Sequence, residues 1–388
     1  MKLWSIPLDG APMKALLEDA GFDIDDIIAD PLDDSILGAT FAGAAPTRWL
    51  DARAERRNGG LHRSFAGAWI KLVGRSADYQ RVVVRVEDAS KPPIYYLVDY
   101  AAKSADIINE AYPLLADAQL GSVRELEYEA RDKYPLMAYL TVPADMPEKN
   151  LPFVVLPHGG PEDRDGESFD WIAQFLASRG YAVLQPQFRG STGFGREHAE
   201  AGQRQWGLRM QDDVTDAVRA VIDQGIADPK RICIAGASYG GYSALAGAAF
   251  TPELYACAAS ISGVSDLPAM LGYESRIAGK ESNTLDYWRE HIGSPNDPNV
   301  IAKSPARSAA TVRAPILLLH GTEDTVVPIT QSRAMANALK ALNKPHELVE
   351  LPGEDHWLSA SVTRIRTLTE LERFLGKHLG AATVQAAN

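Results

Sequence analysis

The chain has 388 residues, a formal charge of −12 and two cysteines. That length allows two domains and a large core, while the acidic balance argues against nucleic acid or an anionic membrane surface as partner, since both demand a basic footprint. No run reaches the ~18 apolar residues of a membrane span, and residues 1–10 lack the charged and apolar regions of a signal peptide, so the expected setting is cytoplasmic.

Residues 1–120 read as β-rich and irregular. Short strands are expected over 2–8, 36–41, 68–73, 81–86 and 94–99, with a helix over 47–57. Turn clusters at Asn58-Gly59-Gly60 and at 89–93 separate them. Such spacing suggests propeller-blade material or a sandwich. A blade takes about 40–50 residues, so this segment holds at most about two or three; a closed propeller needs about four to eight. Open strand edges follow. They must be covered by the rest of the chain, by residues outside it, or by a second copy, which makes a homo-oligomer a candidate assembly.

From about residue 121 the pattern changes. Residues 123–130 and 135–142 read as a hairpin around Arg131-Asp132-Lys133. Strands then alternate with helices: strands over 153–157, 181–186, 232–235, 256–262, 316–320 and 346–351, helices over 169–179 and 212–224, from 239, and over 330–342 and 363–379. Alternation implies an α/β class with a mostly parallel sheet, helices on both faces and sites at the carboxyl ends of strands. The tail over 381–388 is expected to be disordered. Cys233 and Cys257 lie in apolar strand-like runs and read as buried small hydrophobes, with no disulfide framework.

Gly236-Ala-Ser-Tyr-Gly240 fits G-x-S-x-G, with an apolar strand before it and a small-residue helix after it. A serine at so sharp a turn needs near side-chain-free neighbours two positions away. Its hydroxyl is a poor nucleophile until a base takes the proton, and that base needs a carboxylate behind it. The required order is serine, acid, histidine. Five histidines follow Ser238: His291, His320, His346, His356 and His378. His356 is chosen because it lies in a loop between the last strand and the last helix. The acid should follow the preceding strand, where Glu323 and Asp324 are both available. Asp324 is chosen because Val326-Val327-Pro328 then closes the turn into the next helix; Asp355 is the weaker rival. Read alone, a Glu-Asp pair in a loop is a solvated turn. The oxyanion needs two N–H donors. Tyr239, after the nucleophile, is one; Gly160 in His158-Gly159-Gly160-Pro161 is the other, with Gly159 as alternative. Phe188, Tyr242, Tyr273, Trp288 and Trp357 are candidates for an acyl pocket, with ordinary packing the default for each. No cluster has metal-ligand spacing, and no cofactor is called for. The glycine-rich stretch 189–195 lacks the Lys-Ser/Thr of a P-loop and reads as a structural loop with Arg189 in an ion pair.

Five motifs fall in register with one family: Pro157-His-Gly-Gly-Pro161, Gln187-Phe-Arg-Gly-Ser-Thr-Gly-Phe-Gly195, Trp206 with Gln211-Asp212-Asp213-Val214, Gly236-Ala-Ser-Tyr-Gly-Gly-Tyr242, and Gly353-Glu-Asp-His356. Over about 121–379 the chain resembles the prolyl oligopeptidase family, in its acylaminoacyl-peptidase and dipeptidyl aminopeptidase branch. The resemblance implies an α/β-hydrolase catalytic domain over 121–380 with Ser238, Asp324 and His356 as triad. It also implies that residues 1–120 are the last part of an N-terminal β-propeller that screens the site. Gly159, Val326 and Trp357 are the positions expected to meet substrate. The implied activity is hydrolysis of peptide, acyl-peptide or aminoacyl bonds through an acyl-enzyme. Two departures stand out. Most of the propeller is absent from the chain, and Val326 stands where many relatives carry Arg or Asn. Both favour the alternative of a carboxylesterase, whose better leaving group needs less positioning. A non-catalytic binding protein is the third reading, disfavoured because every triad position is filled.

Overall fold

The computed structural model describes residues 2–19, 22–30, 33–42, 47–166 and 168–380, so the tail over 381–388 lies outside the described residues. The chain divides into two compact units. The first comprises residues 1–123 with 166–174 and 192–197; the second comprises 124–165, 175–191 and 198–388.

The first unit is built from short antiparallel sheets. β1 (Lys2–Ser5) pairs with β2 (Lys14–Glu18). β3 (Ile24–Ala29), β4 (Ile36–Phe41) and β5 (Arg48–Trp49) form a three-stranded sheet. After α1 (Ala52–Ser64) come β6 (Trp69–Arg75), β7 (Arg81–Asp88), β8 (Lys91–Asp99) and β9 (Ser104–Glu110), a four-stranded meander. Such a meander is the architecture of a propeller blade. Val82, Val84 and Val86 alternate onto its buried face and pack with Val98 and Leu61. Two expectations fail here. Asn58-Gly59-Gly60 is helical, inside α1, and makes no turn. The Asp51 carboxylate caps the Arg53 and Ala54 N–H groups, and Asn58 donates its side-chain amide to the Ala54 carbonyl oxygen. With the helix nucleated at its cap, two glycines cost less than the turn they would otherwise mark. The 89–93 cluster is likewise a tight turn at its start only, with both prolines inside β8.

The second unit is a layered α/β structure. Its elements in chain order, of which β10, α2 and α3 begin in residues of the first unit, are β10 (Ser122–Glu129), β11 (Pro135–Val142), β12 (Leu151–Val155), α2 (Trp171–Ser178), β13 (Ala182–Gln187), α3 (Arg196–Glu200), α4 (Arg209–Asp223), β14 (Ala227–Ala237), α5 (Tyr239–Phe250), β15 (Cys257–Ile261), α6 (Leu267–Ile277), α7 (Asn283–Ile292), α8 (Pro298–Ala302), β16 (Ile316–Gly321), α9 (Thr330–Ala341), β17 (His346–Leu351) and α10 (Ser361–Leu379). The strands form an eight-stranded sheet in the order β10-β11-β13-β12-β14-β15-β16-β17. β11 is antiparallel to β13; from β13 to β17 the neighbours run parallel. Helices cover both faces, so β12, β13, β15 and β16 are buried at every position and are mostly apolar, with Gln185, Gln187, Ser260 and His320 as buried polar exceptions. α5 is buried all round along almost its whole length, which explains its run of alanine and glycine.

Arg189 is buried, paired with Asp132 and Asp213 and lying over the Tyr134 ring at 4.8 Å, so the glycine-rich stretch after it is the anchored loop its composition suggests. The cysteines depart from expectation. β14 and β15 place Cys233 directly opposite Cys257, with a Cα separation of 4.7 Å, and the two sulfurs are bonded. Each cysteine is a buried hydrophobe in its own strand, as its surroundings suggest. Only the register of the two strands makes them a disulfide.

Candidate active site

β14 ends at Ala237 and α5 begins at Tyr239, leaving Ser238 as the whole turn. Its φ of 56° and ψ of −118° lie where non-glycine residues are rarely found, and the strain is held by packing around it. The Ser238 N–H donates to the Ile261 carbonyl oxygen at the end of β15, 2.9 Å away. Its hydroxyl makes no capping bond to α5. The flanking glycines are required by contact. A Cβ on Gly236 would stand 2.5 Å from the Gly240 carbonyl carbon, and one on Gly240 would stand 2.1 Å from the Pro157 carbonyl oxygen. The elbow can exist only with both side chains missing.

The second contact brings in the strap after β12. Gly159 lies against the nucleophile: a Cβ there would be 3.7 Å from that of Ser238. Gly160 has φ 108°, a left-handed conformation that favours glycine. His158 orients the pair. Burial pushes its imidazole down to about 4, so at neutral pH the ring carries one proton. Nδ1 is 2.7 Å from the Gly159 carbonyl oxygen, which can only accept, so the proton sits on Nδ1, and Nε2 faces the Ser191 hydroxyl at 2.8 Å. The ring stacks on Phe188 with centroids 4.3 Å apart. Across a trans peptide the carbonyl and N–H point opposite ways. Anchoring the Gly159 oxygen on His158 therefore turns the Gly160 N–H away from the ring. The histidine of this motif is a residue of the candidate site that sequence reasoning passed over. The motif itself was the signal, but only its glycines were weighed.

β16 and β17 end side by side, and their loops interlock. Thr322 N–H donates to the Leu351 oxygen at 3.0 Å, Glu323 N–H to the Glu354 oxygen at 3.0 Å, and Gly353 N–H to the Thr322 hydroxyl at 2.8 Å. A Cβ on Gly321 would stand 2.4 Å from the Glu354 oxygen, so glycine lets the two loops meet. Buried Glu354 braces the second loop, accepting from the Asp355 N–H at 2.9 Å and from the Thr363 hydroxyl. The result places His356 Nδ1 2.7 Å from Asp324 Oδ2. Asp324 Oδ1 accepts from the Val326 and Val327 N–H groups at 2.9 and 2.8 Å. His320 lies beneath. Its Nε2 donates to the Val327 oxygen at 2.8 Å and is 3.4 Å from Asp324 Oδ2, and its Nδ1 faces the Ser332 hydroxyl at 2.7 Å. Burial works to raise the Asp324 carboxyl. The bonds from His320, then His356, and from the Val327 N–H outweigh it and hold the carboxyl well below the usual carboxylate range. An ionised Asp324 accepts a hydrogen bond from His356 Nδ1–H, and in the neutral ring that tautomer leaves the lone pair on Nε2.

The remaining candidates separate cleanly. Glu323 is exposed where Asp324 is buried. Asp355 is occupied by the Trp357 N–H at 2.9 Å and the Ser359 hydroxyl at 2.7 Å. His346 opens β17 with Nδ1 on the Lys344 oxygen, and His378 packs on Phe374. Val326 is 37% exposed and Trp357 74% exposed, the latter edge-on to His356 with centroids 5.3 Å apart. Phe188 and Tyr242 are fully buried in the core, and Trp288 packs against it. Tyr273 spends its hydroxyl on the Thr325 oxygen at 2.8 Å, tying α6 to the loop of Asp324. Among the described residues no group of three or more His, Cys, Asp or Glu side chains could hold a metal ion.

A mixed eight-stranded sheet with a strained serine between a parallel strand and a buried helix defines the α/β-hydrolase class. Within that class the chain belongs to the prolyl oligopeptidase family: the family's model matches residues 167–382. Dipeptidyl aminopeptidase BIII of Pseudoxanthomonas mexicana is 30% identical over 389 residues, which cover 97% of this chain and 56% of that protein. The acylamino-acid-releasing enzyme of Rattus norvegicus is 31% identical over 256 residues, 63% of this chain and 34% of that protein. Among solved structures, a puromycin-hydrolyzing peptidase of Mycobacterium tuberculosis superposes with a TM-score of 0.78 at 27% identity, covering 98% of this chain and 59% of the other. The chain thus spans about half the length of these relatives, or less. No helix among the described residues is long and apolar enough to cross a membrane.

Proposed function

We propose that the protein is a serine peptidase acting on short or N-acylated peptides through an acyl-enzyme. Ser238 is the nucleophile, His356 the base and Asp324 the acid that orients it. His356 takes the Ser238 proton as the hydroxyl oxygen attacks the substrate carbonyl. The N–H groups of Tyr239 and Gly160 stabilise the oxyanion; in serine hydrolases each such donor is worth roughly 3–4 kcal/mol. His356 then returns the proton to the leaving amine, and water repeats the sequence to release the acid. The observation that carries this reading is the 2.7 Å bond between His356 Nδ1 and the buried Asp324 carboxylate, together with a serine in strained backbone geometry between β14 and α5 whose hydroxyl makes no capping bond. The names of its relatives, a dipeptidyl aminopeptidase, an acylamino-acid-releasing enzyme and a puromycin-hydrolyzing peptidase, support amide rather than ester substrates.

A carboxylesterase on the same machinery is the second reading, favoured by Val326, whose exposed side chain offers a substrate carbonyl no hydrogen bond. One panel separates them: nitrophenyl esters, aminoacyl anilides and acyl-aminoacyl anilides, with wild type and Ser238→Ala. Anilide turnover lost in the variant supports the peptidase, and ester turnover alone supports the esterase. No turnover, or turnover that survives Ser238→Ala, removes the triad assignment.

The wider proposal treats residues 1–120 as a partial propeller and 121–380 as the catalytic domain. The open edge at β9, where Ile107 and Ile108 are exposed, supports pairing between copies. A monomer on sizing would count against it. A cytoplasmic setting belongs to the same proposal, and the Cys233–Cys257 bond is the observation least friendly to it, since disulfides are rare there.

A further inference from the structure

The strap that carries Gly159 and Gly160 is gripped at both ends. His158 holds one end. At the other, Glu162 reaches helix α7, and nothing in the acyl-transfer steps uses it. Its Oε2 accepts from the Tyr287 hydroxyl at 3.0 Å, and its Oε1 is 2.7 Å from His291 Nε2. Tyr287 and His291 are four residues apart on one face of α7, and their rings stack with centroids 4.0 Å apart. His291 is itself fixed. Nδ1 lies 2.7 Å from the Tyr287 carbonyl oxygen, and its own carbonyl oxygen accepts from the Arg204 N–H at 2.8 Å. Its side chain is 7% exposed, against 33% for Glu162. His291 therefore meets Glu162 from a buried, doubly anchored position, where a bond to a carboxylate is stronger than one in open solvent.

The grip lies close to the oxyanion donor. Glu162 is two residues beyond Gly160, and the turn between them is so tight that a Cβ on Gly160 would stand 2.8 Å from the Glu162 nitrogen and 3.0 Å from the Asp163 nitrogen and Cβ. Only Pro161 separates the two residues.

Resting on the peptidase reading above, we propose that Glu162 is a positioning residue for the oxyanion hole, and that the Tyr287–His291 pair on α7 is the receptor that sets where the Gly160 N–H points. The segment between β15 and β16 then tunes transition-state stabilisation without touching substrate. A displacement of about 1 Å at a catalytic group can cost about 100-fold, so the effect belongs in kcat.

The test compares wild type with Glu162→Ala and Glu162→Gln, the glutamine keeping the volume, on an acylated and a free-amine anilide. Active sites are counted with a fluorophosphonate so that unfolded protein does not enter. The proposal expects kcat to fall about 10-fold or more for both substrates, with KM little changed. Affinity for a peptidyl trifluoromethyl ketone, which forms the tetrahedral adduct, should fall by the same factor. Binding of an uncleaved peptide to Ser238→Ala should not change when Glu162→Ala is added. Combining His291→Asn with Glu162→Ala should lose no more than Glu162→Ala alone. An unchanged kcat per active site overturns the proposal. So does a loss confined to KM of the free-amine substrate, which would make Glu162 a substrate contact. If wild type shows no Ser238-dependent turnover at all, the peptidase reading fails before Glu162 is tested.

Discussion

Replacing Gly240 by alanine tests whether the elbow and the strap form one unit. Gly240 is the second residue of α5, and in a free helix alanine would stabilise that position by about 1 kcal/mol. Here the added Cβ would stand 2.1 Å from the Pro157 carbonyl oxygen and 3.1 Å from that of His158, where real Cβ contacts essentially never fall below 3.0 Å. Both obstacles are main chain, so relief requires the strap to move by about 1 Å, at a cost of about 1–3 kcal/mol or more for overpacking and about 100-fold in rate for the displaced donor. Net destabilisation is then about 0–2 kcal/mol or more once the helix gain is subtracted, set against a rate loss of about 100-fold. Gly272→Ala is the control. It lies within α6, and a Cβ there would meet only the Arg276 guanidinium at 3.7 Å, so it should stabilise by about 0.5–1 kcal/mol with activity intact. Urea midpoints and kcat per titrated active site for the two variants decide the matter. A Gly240→Ala enzyme with wild-type kcat would show that the strap does not bear on the elbow.

Two further outcomes follow from the same structure. Because Asp324 is held below its ordinary range, it stabilises the fold fully above the unfolded carboxylate value of about 3.9 and loses that contribution as pH falls through the lower folded value. His320→Leu removes one of the contacts that hold the Asp324 carboxyl down and should raise the folded value. The stability gap from wild type should then be widest at neutral pH and narrow as pH falls through the variant's folded value towards that of the wild type, when urea midpoints are followed downward from about pH 7; a gap that stays constant down to the acid transition refutes it. For the cysteines, a bridge closing 24 residues is worth about 3 kcal/mol in the chain-entropy account, so the oxidised protein should outlast the reduced one in urea by that margin. Alkylation of two thiols in denatured, unreduced protein would show that the bond is not formed.

The catalytic layer was legible because its strands are buried on both faces. Ile316–Gly321 reads as a bare apolar run that can only be interior, and the polar loop after it, Glu323-Asp324, stands out against it. His356 was legible for a similar reason, as a polar residue just beyond β17. What escaped was set by distant partners. Asn58-Gly59-Gly60 is helical because Asp51, several residues away, caps the helix. Cys233 and Cys257 are neighbours only once β14 and β15 choose their register. Helices α6, α7 and α8 lie between β15 and β16, where mixed composition gave no clear period, and α7 carries the receptor for Glu162. His320 was weighed only as a base, yet burial and the Asp324 loop place it beneath the acid.

All the side chains assigned to the chemistry lie within the second unit: Ser238, Asp324 and His356, with His158 and Glu162 holding the strap. The side chains of the proposed acyl transfer therefore all belong to one unit, and the screening of substrate expected of the β-rich unit can be tested separately from the chemistry. Shortening the first should alter which substrates arrive, a matter of KM and selectivity, while leaving kcat on a small activated ester governed by the elbow, the strap and the two interlocked loops. Val326 falls on the access side of that division although it sits two residues from the acid. Its N–H holds Asp324 Oδ1, and that bond is indifferent to the side chain, so the position can vary in what it offers a substrate without disturbing the carboxylate.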